Sequence, residues 1–205
     1  MATIKSLSQF KSQLIGGGAR PNLFEVSVEF PAAVNQFIQQ DGGTGFDANN
    51  FNFMCKAAQL PASTITPIEV PFRGRTLKVA GDRTFDVWSV TVINDENFSL
   101  RRSFEAWMQN INQYSDHTGF NNPGDYMSNA TVRQLGRAGV ARETGSGSGG
   151  DAQVLAQYKF YDIFPTSVSA IELSYDNENT IEDFTVDFQI QFFAPEAANS
   201  NVVQG

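Results

Sequence analysis

At 205 residues the chain is long enough for one domain with a substantial core; its 18 Phe supply apolar bulk, and 17 Gly with 8 Pro suit a β-rich chain with many turns. A formal net charge of −8 argues against general nucleic-acid binding, which needs Lys and Arg to replace counterions. The single cysteine, Cys55, excludes an internal disulfide, and the single histidine, His117, leaves a zinc or copper site almost without ligands.

The charge is unevenly spread. From Asp151 onward acids dominate and Lys159 is the sole base, whereas Arg73, Arg75, Lys78, Arg83, Arg101, Arg102, Arg133, Arg137 and Arg142 lie earlier. Such a chain can attract a copy of itself head to tail. The N-terminal stretch lacks the apolar region of a signal peptide, and no stretch approaches the length of a transmembrane helix, so the expectation is a product that stays soluble in a cytoplasm.

In chain order, residues 3–15 place Ile4, Leu7, Phe10 and Leu14 at helical spacing, with Gly16, Gly17 and Gly18 ending the helix. Residues 22–30 alternate as a strand, with Glu25, Ser27 and Glu29 on one face and Phe24, Val26, Val28 and Phe30 on the other. Residues 31–50, rich in Gln, Asn and Gly, predict a long loop, and 51–58 a second strand. A hairpin follows, Ile65 to Phe72 and Thr76 to Val79 about a turn at Arg73-Gly74-Arg75; Pro67 and Pro71 place it at an edge or in the open.

The stretch from Lys78 to Glu96 predicts a Gly81-Asp82 turn and a strand over 85–92, buried on both sides, with Phe85 and Val87 facing one way and Trp88, Val90 and Val92 the other. Residues 97–114 predict the one strong amphipathic helix, its core stripe made by Leu100, Phe104, Trp107 and Ile111 and continuing to Tyr114. Residues 115–150 predict an irregular region, ordered best over 131–140 and ending in a Gly-Ser linker at 145–150. Strands over 154–164 and 167–175 are separated by Pro165. Residues 181–193 form the clearest strand, with Phe184, Val186, Phe188, Ile190 and Phe192 on a core face and Asp183, Thr185, Asp187, Gln189 and Gln191 on a wet face carrying no base.

The catalytic inventory is close to empty. Gly145, Gly147 and Gly150 match a dinucleotide-binding spacing but lack the preceding strand and following helix. His117 sits in a polar loop, and Cys55 in FMCKAA suits a small buried hydrophobe rather than a nucleophile. The acidic turns at 94–97 and 176–179 lack calcium-loop spacing and suit turn or helix-cap duty. The expectation is no enzyme, no cofactor and no metal, although a paired-carboxylate hydrolase is a matter of three-dimensional pairing that sequence does not address.

Several runs resemble the tail tube proteins of contractile-tailed (T-even-like) bacteriophages: ARPNLFEV (19–26), FMCKAAQLPA (53–62), KVAGDRTFDVWSVTVINDE (78–96), ATVRQLGRA (130–138) and FPTSVSAIELSYDNENTIEDFTVDF (164–188). They occur in the family's order and span most of the chain. The resemblance implies a mainly β fold, a tail-tube-type β-sandwich or barrel with one flanking α-helix and an extended hairpin. It also implies one domain over 1–205, with surface insertions near 31–50 and 143–153 and a flexible C-terminal tail.

The function implied is a structural virion protein that self-assembles into stacked hexameric rings, the inner tail tube through which DNA is ejected. Assembly would occur in the host cytoplasm. Implied partners are further copies of the chain, the tail sheath protein, and baseplate and tail-terminator proteins, with DNA passing through the bore unbound and no membrane insertion. On that resemblance Asp183, Asp187, Gln189, Gln191, Glu25 and Glu29 are candidate lumen residues, and Arg73, Arg75 and Lys78 candidate inter-ring contacts. The alternatives are a baseplate tube initiator or cap, a secreted ring protein of a related injection system and, in a different class, a monomeric β-sandwich binding module.

Overall fold

A computed structural model describes residues 6–14, 18–40, 46–139, 152–176, 178 and 180–196. The expectations for Ile4, the glycines at 16 and 17, the Gly-Ser linker and the tail beyond 196 lie outside those residues. The strands are β1 (Phe24–Val28), β2 (Cys55–Ala58), β3 (Ser63–Phe72), β4 (Arg75–Phe85), β5 (Trp88–Ile93), β6 (Ser128–Gly139), β7 (Ala152–Val168), β8 (Asp183–Gln189) and β9 (Phe192–Glu196). The helices are α1 (Leu7–Gln13), α2 (Ala32–Gln40), α3 (Ala48–Met54), α4 (Ser99–Ile111) and α5 (Pro123–Tyr126). Seven strands make one sheet in the order β1-β6-β7-β8-β5-β2, with β9 on β7, and β3 and β4 make a separate two-stranded sheet. The fold is mainly β, as expected; among the described residues the large sheet is open rather than a closed barrel, ending at β1 and β2.

By contacts the chain divides into two compact units, one of residues 1–25, 132–158 and 195–205 and the other of 26–131 and 159–194. The larger holds the aromatic core. Trp88 of β5 stacks on Phe160 of β7 at 4.6 Å between centroids and lies 5.3 Å from Phe188 of β8. Phe104 and Trp107 of α4 lie 5.9 and 6.2 Å from Phe188, so the helix stripe seats on the sheet through rings. Leu100, Phe104 and Trp107 are fully buried and Ile111 is half-buried, as its spacing predicts, whereas Tyr114 lies beyond the helix and is exposed. Asp95 opens α4, its carboxylate accepting from the Ser99 N–H (3.0 Å) and hydroxyl (2.8 Å). The Trp107 indole donates to the Tyr126 carbonyl at 2.7 Å, which satisfies its one buried donor.

Several expectations are corrected. More than one helix flanks the sheet: the stretch predicted as a loop contains α2 and the start of α3. Val34 and Phe51 are fully buried there, and Asp47 caps α3 by accepting from the N–H groups of Asn49 and Asn50. The helix runs through Met54 and shortens the predicted 51–58 strand to β2. Leu7 and Phe10 of α1, set by a Ser6–Gln9 capping box, are exposed.

Gly81 and Asp82 do not turn the chain; they lie inside β4, where the register with β3 shifts between Ile65 and Pro67. A Cβ on Gly81 would meet the Thr66 carbonyl oxygen at 2.4 Å, so the close backbone approach at this bulge requires glycine. β5 starts only at Trp88 and is buried on one face, with Val87 exposed, because Asp86 and Val87 interrupt the strand. Pro165 does not divide β7: it sits where the β7–β8 register shifts, and a bulge needs no ladder donor from it. The predicted 167–175 strand instead leaves the sheet after Val168, and the chain returns as β8, whose strand pairing ends at Gln189. Phe192, predicted to face the core, is 43% exposed and stacks on Tyr161.

The smaller unit includes the first residues of β1 and the adjoining parts of β6 and β7. The Leu135 N–H donates to the Leu23 carbonyl at 2.9 Å, and the Gln134 amide donates to the same carbonyl and to that of Arg20. These bonds hold the chain before β1 against β6.

Candidate assembly surfaces

The β3–β4 hairpin is the first surface. Arg73 (φ 46°) and Gly74 (φ 80°) both adopt left-handed backbone, the conformation of a two-residue hairpin turn matched to strand twist. Across it Ile68 pairs with Val79, Val70 with Leu77 and Phe72 with Arg75, so five apolar side chains share one face. Every β3 residue is exposed; Phe72 is 66% and Leu77 62% exposed. On the opposite face Lys78 pairs with Glu69 at 3.3 Å, a solvent-screened contact, while the Arg73 guanidinium lies 5.4 Å from the Phe72 ring centroid. An isolated two-stranded ribbon with a bare apolar face is marginal in water.

The second surface is the polar face of β8 with β5. In register, Ser89 faces Asp187, Thr91 faces Thr185 and Ile93 faces Asp183, while Val90, Val92, Phe184, Val186 and Phe188 fill the core face. The Ser89 hydroxyl donates to Asp187 Oδ1 at 2.5 Å, and the Thr91 and Thr185 hydroxyls lie 3.3 Å apart. Asp183 is paired with Lys56 of β2, a base that local sequence could not assign to this face because it lies 127 positions away. Gln189 is half-buried at the strand end; Gln191, exposed, follows it.

The third surface lies in the smaller unit. Arg133 of β6 reaches Glu25 of β1 (3.3 Å) and Gln157 of β7 (3.1 Å), and the Gln157 amide donates to Glu196 of β9 (2.6 Å). The Glu25 face is thus a cross-strand network containing a base, rather than an acidic strip. Glu29 is not part of that surface: it belongs to the larger unit and is exposed just past β1, its N–H donating to the Asn129 carbonyl at 2.9 Å.

Sequence reasoning missed a fourth feature, a cleft of about 600 Å³ formed where the chain leaves the sheet after β7 and re-enters at β8. Ile171, Leu173, Tyr175, Glu172, Glu182 and Asp183 line it, and Leu173 and Ile181 are 81% and 77% exposed. The alternating IELSY run that forms its wall has the pattern of a strand, which concealed it.

The residues weighed for chemistry stay apart. His117 is exposed, within 3.2 Å of Asn112 Oδ1. Beside it, hydrogen bonds from the Thr118 N–H and hydroxyl hold the Asp116 carboxyl below its ordinary range. Burial pushes the Cys55 thiol up to about 12, which removes the thiolate a nucleophile needs. Among the described residues no three His, Cys, Asp or Glu side chains cluster as metal ligands, and no helix is long and apolar enough to cross a membrane.

A sheet subunit that presents a bare apolar hairpin and an internally paired polar face is a structural assembly protein, built to meet further chains. The chain belongs to the phage tail tube protein family, whose model matches residues 19–194, and is a structural component of a contractile phage tail. It is similar to tail tube protein gp19 of Enterobacteria phage T4, 35% identical over 181 residues that cover 87% of this chain and 92% of the relative. The fold is shared with a chain of the PVC sheath–tube complex of an extracellular contractile injection system in its extended state (TM-score 0.57, 14% identity, 95% of this chain and 99% of that one). It is shared also with a chain of the six-fold symmetrised baseplate of the anti-feeding prophage (TM-score 0.58, 11% identity, 88% and 97%).

Proposed function

We propose that copies of this chain close into six-membered rings, and that the rings stack into the inner tube through which DNA leaves the capsid. The observation that carries this reading is the β3–β4 hairpin, whose apolar face is exposed within one subunit and which ends in Arg73 and Arg75. In a stacked tube that face is buried on the next ring. The reading is also supported by the six-fold symmetry of the anti-feeding prophage baseplate and by the sheath–tube pairing of the PVC complex, both built with chains of this fold. The sheath protein, the baseplate and a terminator are accordingly its partners, and assembly takes place in the host cytoplasm.

Asp183, Asp187 and Gln189 line the bore in this reading. Their face suits passage of DNA because its polar groups are largely paired with one another and Lys56 is held by Asp183. Phosphate meets little free positive charge there. Gln191 follows that face in the chain, and Glu25 and Glu29 are further lumen candidates.

Negative-stain electron microscopy of the purified protein across a concentration series tests the stacking. Stacked rings or tubes with an open bore are expected. Particles that remain monomeric at every concentration, even with a baseplate template added, refute it; single rings that never elongate on that template favour a tube initiator or cap. Asp187→Lys tests the bore, and DNA delivery unchanged by the added charge would exclude this face as the lining.

A further inference from the structure

We propose that the acidic cleft between β7 and β8 is the socket that receives the β3–β4 hairpin of a neighbouring copy; this rests on the stacking reading above. The two features lie at opposite ends of one strand pair. The hairpin joins the sheet beside the start of β5, where the Asp86 N–H donates to the Ala62 carbonyl and the Trp88 indole to the Gln59 carbonyl. The cleft lies beyond the other end, where Ile93 pairs with Asp183 and the Asn94 N–H donates to the Glu182 carbonyl at 2.9 Å. Five strand steps separate Trp88 from Ile93, about 17 Å at ~3.3 Å per residue. A subunit with a plug at one end and a socket at the other makes a heterologous contact, the kind that repeats along an axis without closing on itself.

The chemistry of the two ends is complementary. The hairpin tip offers Phe72 with Arg73 and Arg75; the cleft offers Leu173, Tyr175 and Ile181 among Glu172, Glu182 and Asp183, with the exposed Asp176 next in the chain after Tyr175. No base occurs between Ser169 and Asp183. Two cations that reach this segment are engaged within the subunit, Lys56 by Asp183 and Arg101 by Glu105 and the Ser169 carbonyl. Asn94, which donates to Glu182 Oε2 at 3.0 Å, has a buried side-chain oxygen with no hydrogen-bond partner within the subunit. Exposed apolar side chains ringed by one sign of charge select a partner of opposite charge with an apolar tip.

The test is a charge swap read by sedimentation and electron microscopy. Glu172→Lys with Asp176→Lys changes the socket wall and the residue that follows it, at two exposed positions, and Arg73→Glu with Arg75→Glu changes only the plug. Each pair alone is expected to raise the concentration needed for stacking roughly tenfold or more, with circular dichroism unchanged, and all four substitutions in one chain restore wild-type stacking. If the plug variant fails to stack but the socket variant stacks like wild type, the hairpin reading stands and the socket assignment falls. A four-fold variant that keeps its fold but stays as defective as the plug variant also overturns the socket. Wild-type protein that never stacks would sink the proposed function itself, a separate outcome.

Discussion

Phe72→Ala separates the fold from the assembly. Phe72 is 66% exposed in the subunit, so its truncation removes little that the monomer uses. An aromatic side chain offers on the order of 200 Å²; two thirds of that is about 130 Å², worth ~3 kcal/mol at ~25 cal/mol per Å² when a neighbouring ring covers it. The alanine methyl keeps part of the contact, which leaves a loss of about 2 kcal/mol per inter-ring contact, or roughly 30-fold in the critical concentration for tube growth. The Arg73 guanidinium 5.4 Å from the ring loses its aromatic platform as well. Sedimentation against concentration measures the assembly, and urea unfolding of the dilute monomer measures the fold. Monomer stability is expected within about 0.5 kcal/mol of wild type. Tube growth at wild-type concentrations, or a monomer weakened by as much as the assembly, would refute the argument that this face is made for another copy.

Three further outcomes follow from individual contacts. Asp95→Ala removes the carboxylate that binds the Ser99 N–H and hydroxyl and should cost about 1 kcal/mol in urea unfolding. Gly81→Ala drives a Cβ to 2.4 Å from the Thr66 carbonyl; the hairpin base must shift, and a crystal structure of the variant should show a changed β3–β4 register, with stacking lost and the aromatic core intact. Burial raises the Cys55 thiol from 9.0 to about 12, so the unfolded chain ionises first. The neutral thiol's contribution is fully present below about pH 9 and is lost as pH rises toward about 12; the stability difference between wild type and Cys55→Ala should therefore shrink from pH 8 to 11, other titrating groups being common to both.

The parts of the fold legible in the sequence are those whose signal is local. Leu100, Phe104 and Trp107 mark their buried stripe by spacing alone, and Pro67, Pro71 and the Arg73-Gly74 turn mark an exposed hairpin. The parts that were not legible depend on distant partners. α2 and α3 are short and rich in polar Asn and Gln, Asn being a poor helix former, and are anchored by Val34 and Phe51, which acquire a core only once α4 is present. Pro165 stops a strand in isolation but is accommodated where the β7–β8 register shifts. The candidate bore residues were recognisable by alternation, yet the Lys56 and Ser89 partners of Asp183 and Asp187 come from β2 and β5, which only strand order brings alongside.

That pairing bears on how a conduit can be polar without being adhesive. A free carboxylate strip would repel DNA but would also destabilise the sheet by crowding like charges on adjacent strands. Here the two β8 aspartates are separated by Thr185, and each has a neighbour: Asp187 accepts from the Ser89 hydroxyl, and Asp183 holds Lys56. The face therefore remains polar while offering few unsatisfied donors to a phosphate, and Lys56 is neutralised by a contact within the same subunit. Removing that neutralisation while leaving the lysine in place is the informative perturbation: Asp183→Asn should free Lys56, and DNA moving past a ring of such lysines should be slowed in a manner relieved by added salt. Delivery rates of wild type and variant that coincide at low ionic strength would mean that Lys56 does not face the DNA path, and the assignment of this β8 face to the wall would fall.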